Sequence, residues 1–232
     1  MEKLKKSGIL RIISGLFFIA AQAVMLFFCA GRTDIPRAWI YVGASLAIPL
    51  IGILIMFKYC PHTIELINQR GKIQEGTKTW DRILTISLLP VWFFIPIIAG
   101  LDLGRFHWSN LSIYFVIPGV MLTILGYTIV YWAMMVNKYF ETTVRIQRER
   151  GHHVISTGPY KYVRHPGYAG SILSLIATPL ILGSVYIYIP IGVLILMVII
   201  RTVLEDRILK SELDGYEEYA KRVKYRLLPN AW

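Results

Sequence analysis

From Gly167 to Ile200 the chain runs 34 residues without a charged side chain. A helix that crosses a bilayer takes about 20 mostly apolar residues. This stretch is too long for one such helix and slightly short for two. Gly183 and Ser184 offer a turn near its middle, so it reads as a tight helical hairpin. Pro179 and Pro190 kink that hairpin, which membrane helices tolerate.

Four apolar runs precede it, at about 12–30, 38–57, 83–101 and 111–136, and the hairpin arms fall at 167–183 and 185–200. The expectation is an all-α integral membrane protein of about six transmembrane helices. Composition agrees: only 17% of the 232 residues are charged and the mean hydropathy is +0.53, where a soluble domain carries about 25% charged residues. The basic N-terminus reads as the start of a first membrane helix, not as a removable signal peptide.

The charges test the order of the spans. Basic residues gather in four segments. These hold Lys3, Lys5, Lys6 and Arg11; then Lys58, Arg70, Lys72, Lys78 and Arg82; then Lys138, Arg145, Arg148, Arg150, Lys161 and Arg164; then the tail from Arg201 to Arg226. The intervening loops hold Arg32, Arg37 and Arg105. Strict alternation over six spans puts both termini in the cytosol. The net charge of +11 is thereby explained by loops and not by one nucleic-acid-binding face. Two isolated cysteines, Cys29 and Cys60, make neither a disulfide framework nor a metal site, and no metal is expected. The chain divides into N-terminal membrane helices, 1–110, and a core, 111–232. A tail helix is expected over about 205–223, with Gly215 as its weak point.

The segment Gly151–Tyr168, GHHVISTGPYKYVRHPGY, carries the densest chemistry. Counting about 17 residues each way from the turn brings two ends to one depth, at 1.5 Å per helical residue. Arg164, His165, Tyr168, Arg201, Glu205 and Asp206 then meet at one membrane edge. Ionisable groups at that depth are costly unless paired, hydrated or functional. Such a cluster fits a ligand with an ammonium, a carboxylate, a sulfonium and an adenine. Glu205 suits the ammonium, helix-start N–H groups or a basic side chain the carboxylate, and tyrosine faces the cation. A nucleotide or an anionic lipid head group fits these parts almost as well.

Residues 137–229 resemble the isoprenylcysteine carboxyl methyltransferases and their bacterial relatives, with a looser similarity to phospholipid N-methyltransferases. Three pieces carry the resemblance: His152, His153, Val154 and Ile155 followed by Tyr160; Arg164, His165, Pro166, Gly167 and Tyr168; and Arg201 four residues before Glu205. The resemblance implies S-adenosyl-L-methionine as cofactor. It assigns cofactor binding to His152, His153, Val154, Ile155, Tyr160, His165, Pro166, Gly167, Tyr168 and Glu205, with Gln147 as the upstream glutamine. It puts Arg201 and Arg164 on the acceptor side, Arg201 as the catalytic orienting cation. The family's second glutamate is Asp206 here. Membrane steroid and sterol reductases share Arg-His-Pro-x-Tyr but continue to an acidic residue where this chain has Ser171, which favours methyl transfer over NADPH chemistry.

The implied partner is a lipophilic, membrane-borne acceptor. No dedicated base stands out, which tilts the reading to a carboxylate acceptor over a phospholipid amine. Tyr216 and Tyr219 are expected to pack the tail over the site. His62 and His107 are assigned no role.

Overall fold

The computed structural model describes residues 3–70 and 74–232; Lys72 of the second basic segment lies outside them. The described residues form α1 (Lys6–Ala30), α2 (Pro36–Tyr59), α3 (Thr63–Gln69), α4 (Thr79–Gly100), α5 (Val116–Val136), α6 (Pro166–Leu182), α7 (Tyr188–Glu212) and α8 (Tyr216–Arg222). No strand occurs among them. Five helices are long and apolar enough to cross a membrane, and α6, at 17 residues, is shorter. Seventeen residues reach about 25 Å, less than the roughly 30 Å hydrocarbon core. Large apolar side chains such as Phe17, Phe28 and Ile189 point outward, and such a surface belongs in lipid. The protein is a multi-pass integral membrane protein.

The hairpin turn lies where the uncharged stretch placed it. Gly183 caps α6 in the left-handed region, at φ +80, a conformation that glycine enters without a Cβ penalty. Two boundaries differ from the sequence reading. The second arm does not stop near residue 200: α7 continues to Glu212. The tail is also not one helix, because Gly215 adopts φ +77 and separates α7 from the short α8. The loop after α2 folds into α3, which polar composition hid.

At the turn end, Asp102 is fully buried and accepts hydrogen bonds from Ser109 N (2.8 Å), Ser109 Oγ (2.5 Å) and Ser184 Oγ (2.5 Å). Arg37 donates to the carbonyls of Leu111 (2.6 Å) and Leu180 (3.2 Å). These bonds satisfy buried polar groups and fix the turn against α2 and the 101–112 segment.

At the opposite end, the basic segments come together. Ser7 Oγ donates to Asn68 O, Lys78 N to Val144 O, and Arg164 N to Tyr225 O. Helices α5 and α6 make the closest pair. A Cβ on Gly126 would sit 2.5 Å from Gly170 O, and one on Gly170 would sit 2.4 Å from Gly126 O. Small residues let membrane helices approach this closely. That contact anchors α6, whose first turn carries the site.

Candidate active site

A cavity of about 860 Å³ opens at the basic end. His152, His153, Val154, Ile155 and Tyr160 line it from the 137–165 segment, His165, Gly167 and Tyr168 from the start of α6, and Arg201 and Glu205 from α7. Gln147 and Arg164 also touch it. Pro166 does not; it is the first residue of α6 and sets the helix start.

The two hairpin arms meet through side chains. Tyr168 donates its hydroxyl to Glu205 Oε2 at 2.5 Å. Glu205 Oε1 has no hydrogen-bond partner among the described residues and remains available to a cation at the cavity wall. The Arg201 guanidinium stands 5.7 Å from the Tyr168 ring centroid.

Arg201 is held from outside the motif. Its Nε lies 2.8 Å from Asp81 Oδ1, and its Nη2 donates to Asp81 Oδ2 (3.2 Å) and to Thr142 O (2.5 Å). The Nε–Oδ1 contact is off-axis for a hydrogen bond, so it acts as a charge contact. Nη1 makes no hydrogen bond to a described residue. Asp81 opens α4 and also accepts from Val144 N at 2.7 Å. Nothing in the sequence linked Asp81 to Arg201, 120 positions away.

His152 is half-buried against the Tyr139 ring, with centroids 4.4 Å apart. Burial, then the neighbouring His153, Arg150 and Arg145, push its pKa down to about 4. It is therefore neutral at pH 7. Gln147 N donates to its Nδ1 (3.3 Å), which leaves the proton on Nε2. His153 is exposed and pairs with Tyr139 Oη through Nδ1, at 2.8 Å. The Gln147 amide ties the loop together: it donates to Tyr139 O (2.7 Å) and accepts from Arg150 Nη1. Tyr160 is buried, accepts from Asn137 Nδ2 (3.0 Å), and stays protonated because burial raises its pKa.

Arg164 and Asp206 form a buried bidentate pair, Nε–Oδ1 at 2.7 Å and Nη2–Oδ2 at 3.0 Å. Arg164 Nη1 donates to Val223 O (2.7 Å) and Lys224 O (2.8 Å). Four donor contacts are thus committed to Asp206 and the tail. Burial alone would lower the Arg164 pKa; the Asp206 hydrogen bond and charge outweigh it and raise it. Asp206 also accepts from Tyr216 Oη (3.0 Å) and Arg226 Nε (3.1 Å), with His165 Nε2 at 3.4 Å. The shorter second acid, set against the family's glutamate, therefore sits at the centre of a tail-anchoring network. As expected, Tyr216 and Tyr219 pack the tail over the site, beside Tyr160 and Leu213.

Residues 114–213 match the family described as phospholipid methyltransferase. The matched stretch runs from the start of α5 to the end of α7 and includes His152, Tyr168, Arg201 and Glu205. This stretch of the chain is thus similar to the core of membrane methyltransferases. An uncharacterized protein of Bacillus subtilis (strain 168), YpbQ, is 29% identical over 139 residues, covering 57% of this chain and 77% of that one. Protein-S-isoprenylcysteine O-methyltransferase of Schizosaccharomyces pombe is 29% identical over 91 residues, 36% of each chain. The matched residues leave out Arg70, Tyr216 and Tyr219, so parts of the cavity wall come from outside the match, as does Asp81, which holds Arg201.

Proposed function

We propose that this protein is a membrane methyltransferase that takes its methyl group from S-adenosylmethionine and delivers it to a lipophilic carboxylate drawn from the bilayer. The observation that carries the reading is one continuous cavity with two characters. Its basic end holds Glu205, Tyr168 and His152; its other arm runs between α1 and α2 past Leu16, Ile19, Leu46 and Leu50.

The basic end fits the cofactor's parts. Glu205 Oε1 takes the ammonium, and the His152 Nε2–H donates to the carboxylate. Val154, Ile155, Leu209 and Leu213 offer an apolar wall to the adenine. His153, Tyr160, His165 and Gly167 complete the enclosure, with Gln147 holding the loop that carries His152 and His153. The cofactor supplies a methyl group already activated on a sulfonium.

The protein's share is alignment and charge. A carboxylate acceptor is ionised at neutral pH and needs no base. Arg201, fixed by Asp81 and Thr142 O, presents Nη1 to orient it. Arg164 acts indirectly, by holding the tail over the site through Asp206. The tail then excludes water from the reacting groups. The basic end faces the cytosol, where the cofactor enters.

Transfer to a phospholipid amine is a second reading, favoured by the family description. It requires a group to take the amine's proton. In this reading the carboxylates at the cavity are committed: Glu205 to Tyr168 through Oε2 and to the cofactor's ammonium through Oε1, and Glu141 to Arg145 at 2.9 Å.

Methyl-labelled S-adenosylmethionine and a farnesylated cysteine carboxylate, incubated with protein in nanodiscs, test the reading. Base-labile label in the lipid fraction marks a methyl ester and supports it. Base-stable label on a phospholipid amine moves the chain to N-methylation.

A further inference from the structure

Most of the arginines and glutamates on the cavity wall have a partner of opposite charge or a hydrogen-bond donor. Arg145 pairs with Glu141 and Glu149, at 2.9 and 2.7 Å. Arg164 pairs with Asp206, Arg201 with Asp81, and Glu205 with Tyr168. Two cations remain, Arg70 and Arg11, and neither ion-pairs with a described carboxylate. Arg11 lies on the exposed side of α1. Arg70, at the end of α3, is different. It is half-buried, its guanidinium lies 5.3 Å from the Phe140 ring centroid, and Nη1 reaches Met134 Sδ at 3.3 Å. A thioether and an aromatic face are weak partners for a desolvated cation.

Burial, with Arg11 and Arg201 as like charges, lowers the Arg70 pKa to about 10. It stays charged at neutral pH, but in an environment that lacks an anion. Removing an ion from water costs several kcal/mol unless an opposite charge compensates. Place and chemistry then define the missing partner. Phe140, on which Arg70 stacks, is the ring that meets Gly167, since a Cβ there would lie 2.6 Å from it. Arg70 is thus one ring away from the first turn of α6, which carries Tyr168. On its other side the apolar arm begins, at Ile67, Met56 and Ile12. That arm reaches lipid, because Leu16 and Leu50, which line it, are 55% and 57% exposed.

We infer that Arg70 is the acceptor's anion receptor: it holds the carboxylate of an amphiphile whose chain lies in the arm between α1 and α2. The inference rests on the proposed reading of this cavity as a methyltransferase site. It adds a specificity-determining residue that lies outside the matched family segment. Arg201 orients the carboxylate at the reacting end, while Arg70 selects for anionic head groups and draws them from the membrane. Arg11, on the facing helix, adds positive potential at the mouth.

The test is equilibrium binding without cofactor. Purified protein is titrated with a farnesylated cysteine carboxylate, its methyl ester and an alkyl phosphate of matched chain length. Wild type should bind the carboxylate at least ten-fold more tightly than the ester. Arg70→Gln should lose that preference while keeping the wild-type affinity for the ester, which reports an intact fold. Arg70→Lys should recover part of it, and serves if Arg70→Gln does not fold. An undiminished acid preference in Arg70→Gln overturns the assignment. Tighter binding of the phosphate than of the carboxylate overturns the acceptor class. S-adenosylmethionine binding, measured in parallel, reports on the methyltransferase reading alone; its failure would leave the Arg70 outcome to be read independently from the acid–ester pair.

Discussion

Tyr168 on α6 and Glu205 on α7 are joined by a 2.5 Å hydrogen bond that links the two arms of the hairpin at the cavity wall. The tyrosine fixes the glutamate's rotamer and occupies one of its oxygens. Tyr168→Phe removes the bond and keeps the ring. The expected result is a weaker hold on S-adenosylmethionine, by roughly ten-fold, since a hydrogen bond to a charged group contributes about 1.5–3 kcal/mol. Calorimetric titration reads this directly, and an unchanged affinity would remove the tyrosine from the cofactor site.

Asp206 collects Arg164, Arg226 and Tyr216, so Asp206→Asn leaves a buried guanidinium with a neutral partner. Breaking a buried pair in this way costs about 3–5 kcal/mol. The tail from Gly215 onward should become sensitive to protease before the membrane helices unfold. Wild-type protease resistance in the variant would show that the tail is held by its tyrosines alone.

His152 gives a pH dependence with a definite sign. Its pKa in the folded protein is about 4, below the ordinary 6.5 of the unfolded chain. Between those values the unfolded chain binds the proton and the folded chain does not. Stability therefore includes a contribution that is full above about pH 6.5 and is lost as pH falls towards 4. Thermal unfolding midpoints of wild type and His152→Gln in detergent should converge or cross over that window as pH drops. Parallel curves would contradict it.

The α5–α6 contact has no room for a side chain. Gly126→Val and Gly170→Val should each lower thermal stability, by about 1–3 kcal/mol or more. Gly192→Val, where a Cβ meets nothing within 4 Å, is the control and should leave the unfolding midpoint unchanged.

Much of this architecture is legible in the sequence, for physical reasons. Apolar runs and their lengths declare the helices, because a bilayer demands both. Gly183 and Ser184 mark the turn because the uncharged stretch needs one there. Equal counting along the two arms then brings Tyr168 beside Glu205. Arg164 shows where this reasoning stops. The resemblance put it on the acceptor side, but its partner is Asp206, and only three-dimensional packing shows that four of its donor contacts serve Asp206 and the tail. Asp81 and Arg70 were hidden for a similar reason. Each stands in a polar connection far along the chain from Arg201, and no local spacing relates them. Asp102 stands just after the apolar run at 83–101, and its role depends on serines 7 and 82 positions away.

In the proposed reading, the basic end of the cavity holds S-adenosylmethionine through Glu205. The deciding measurement is calorimetric titration of S-adenosylmethionine and of NADPH into detergent-purified wild type and Glu205→Ala. Saturable S-adenosylmethionine binding by wild type, lost in Glu205→Ala, is the predicted result. Binding of NADPH in its place, or S-adenosylmethionine binding that Glu205→Ala leaves intact, would contradict it.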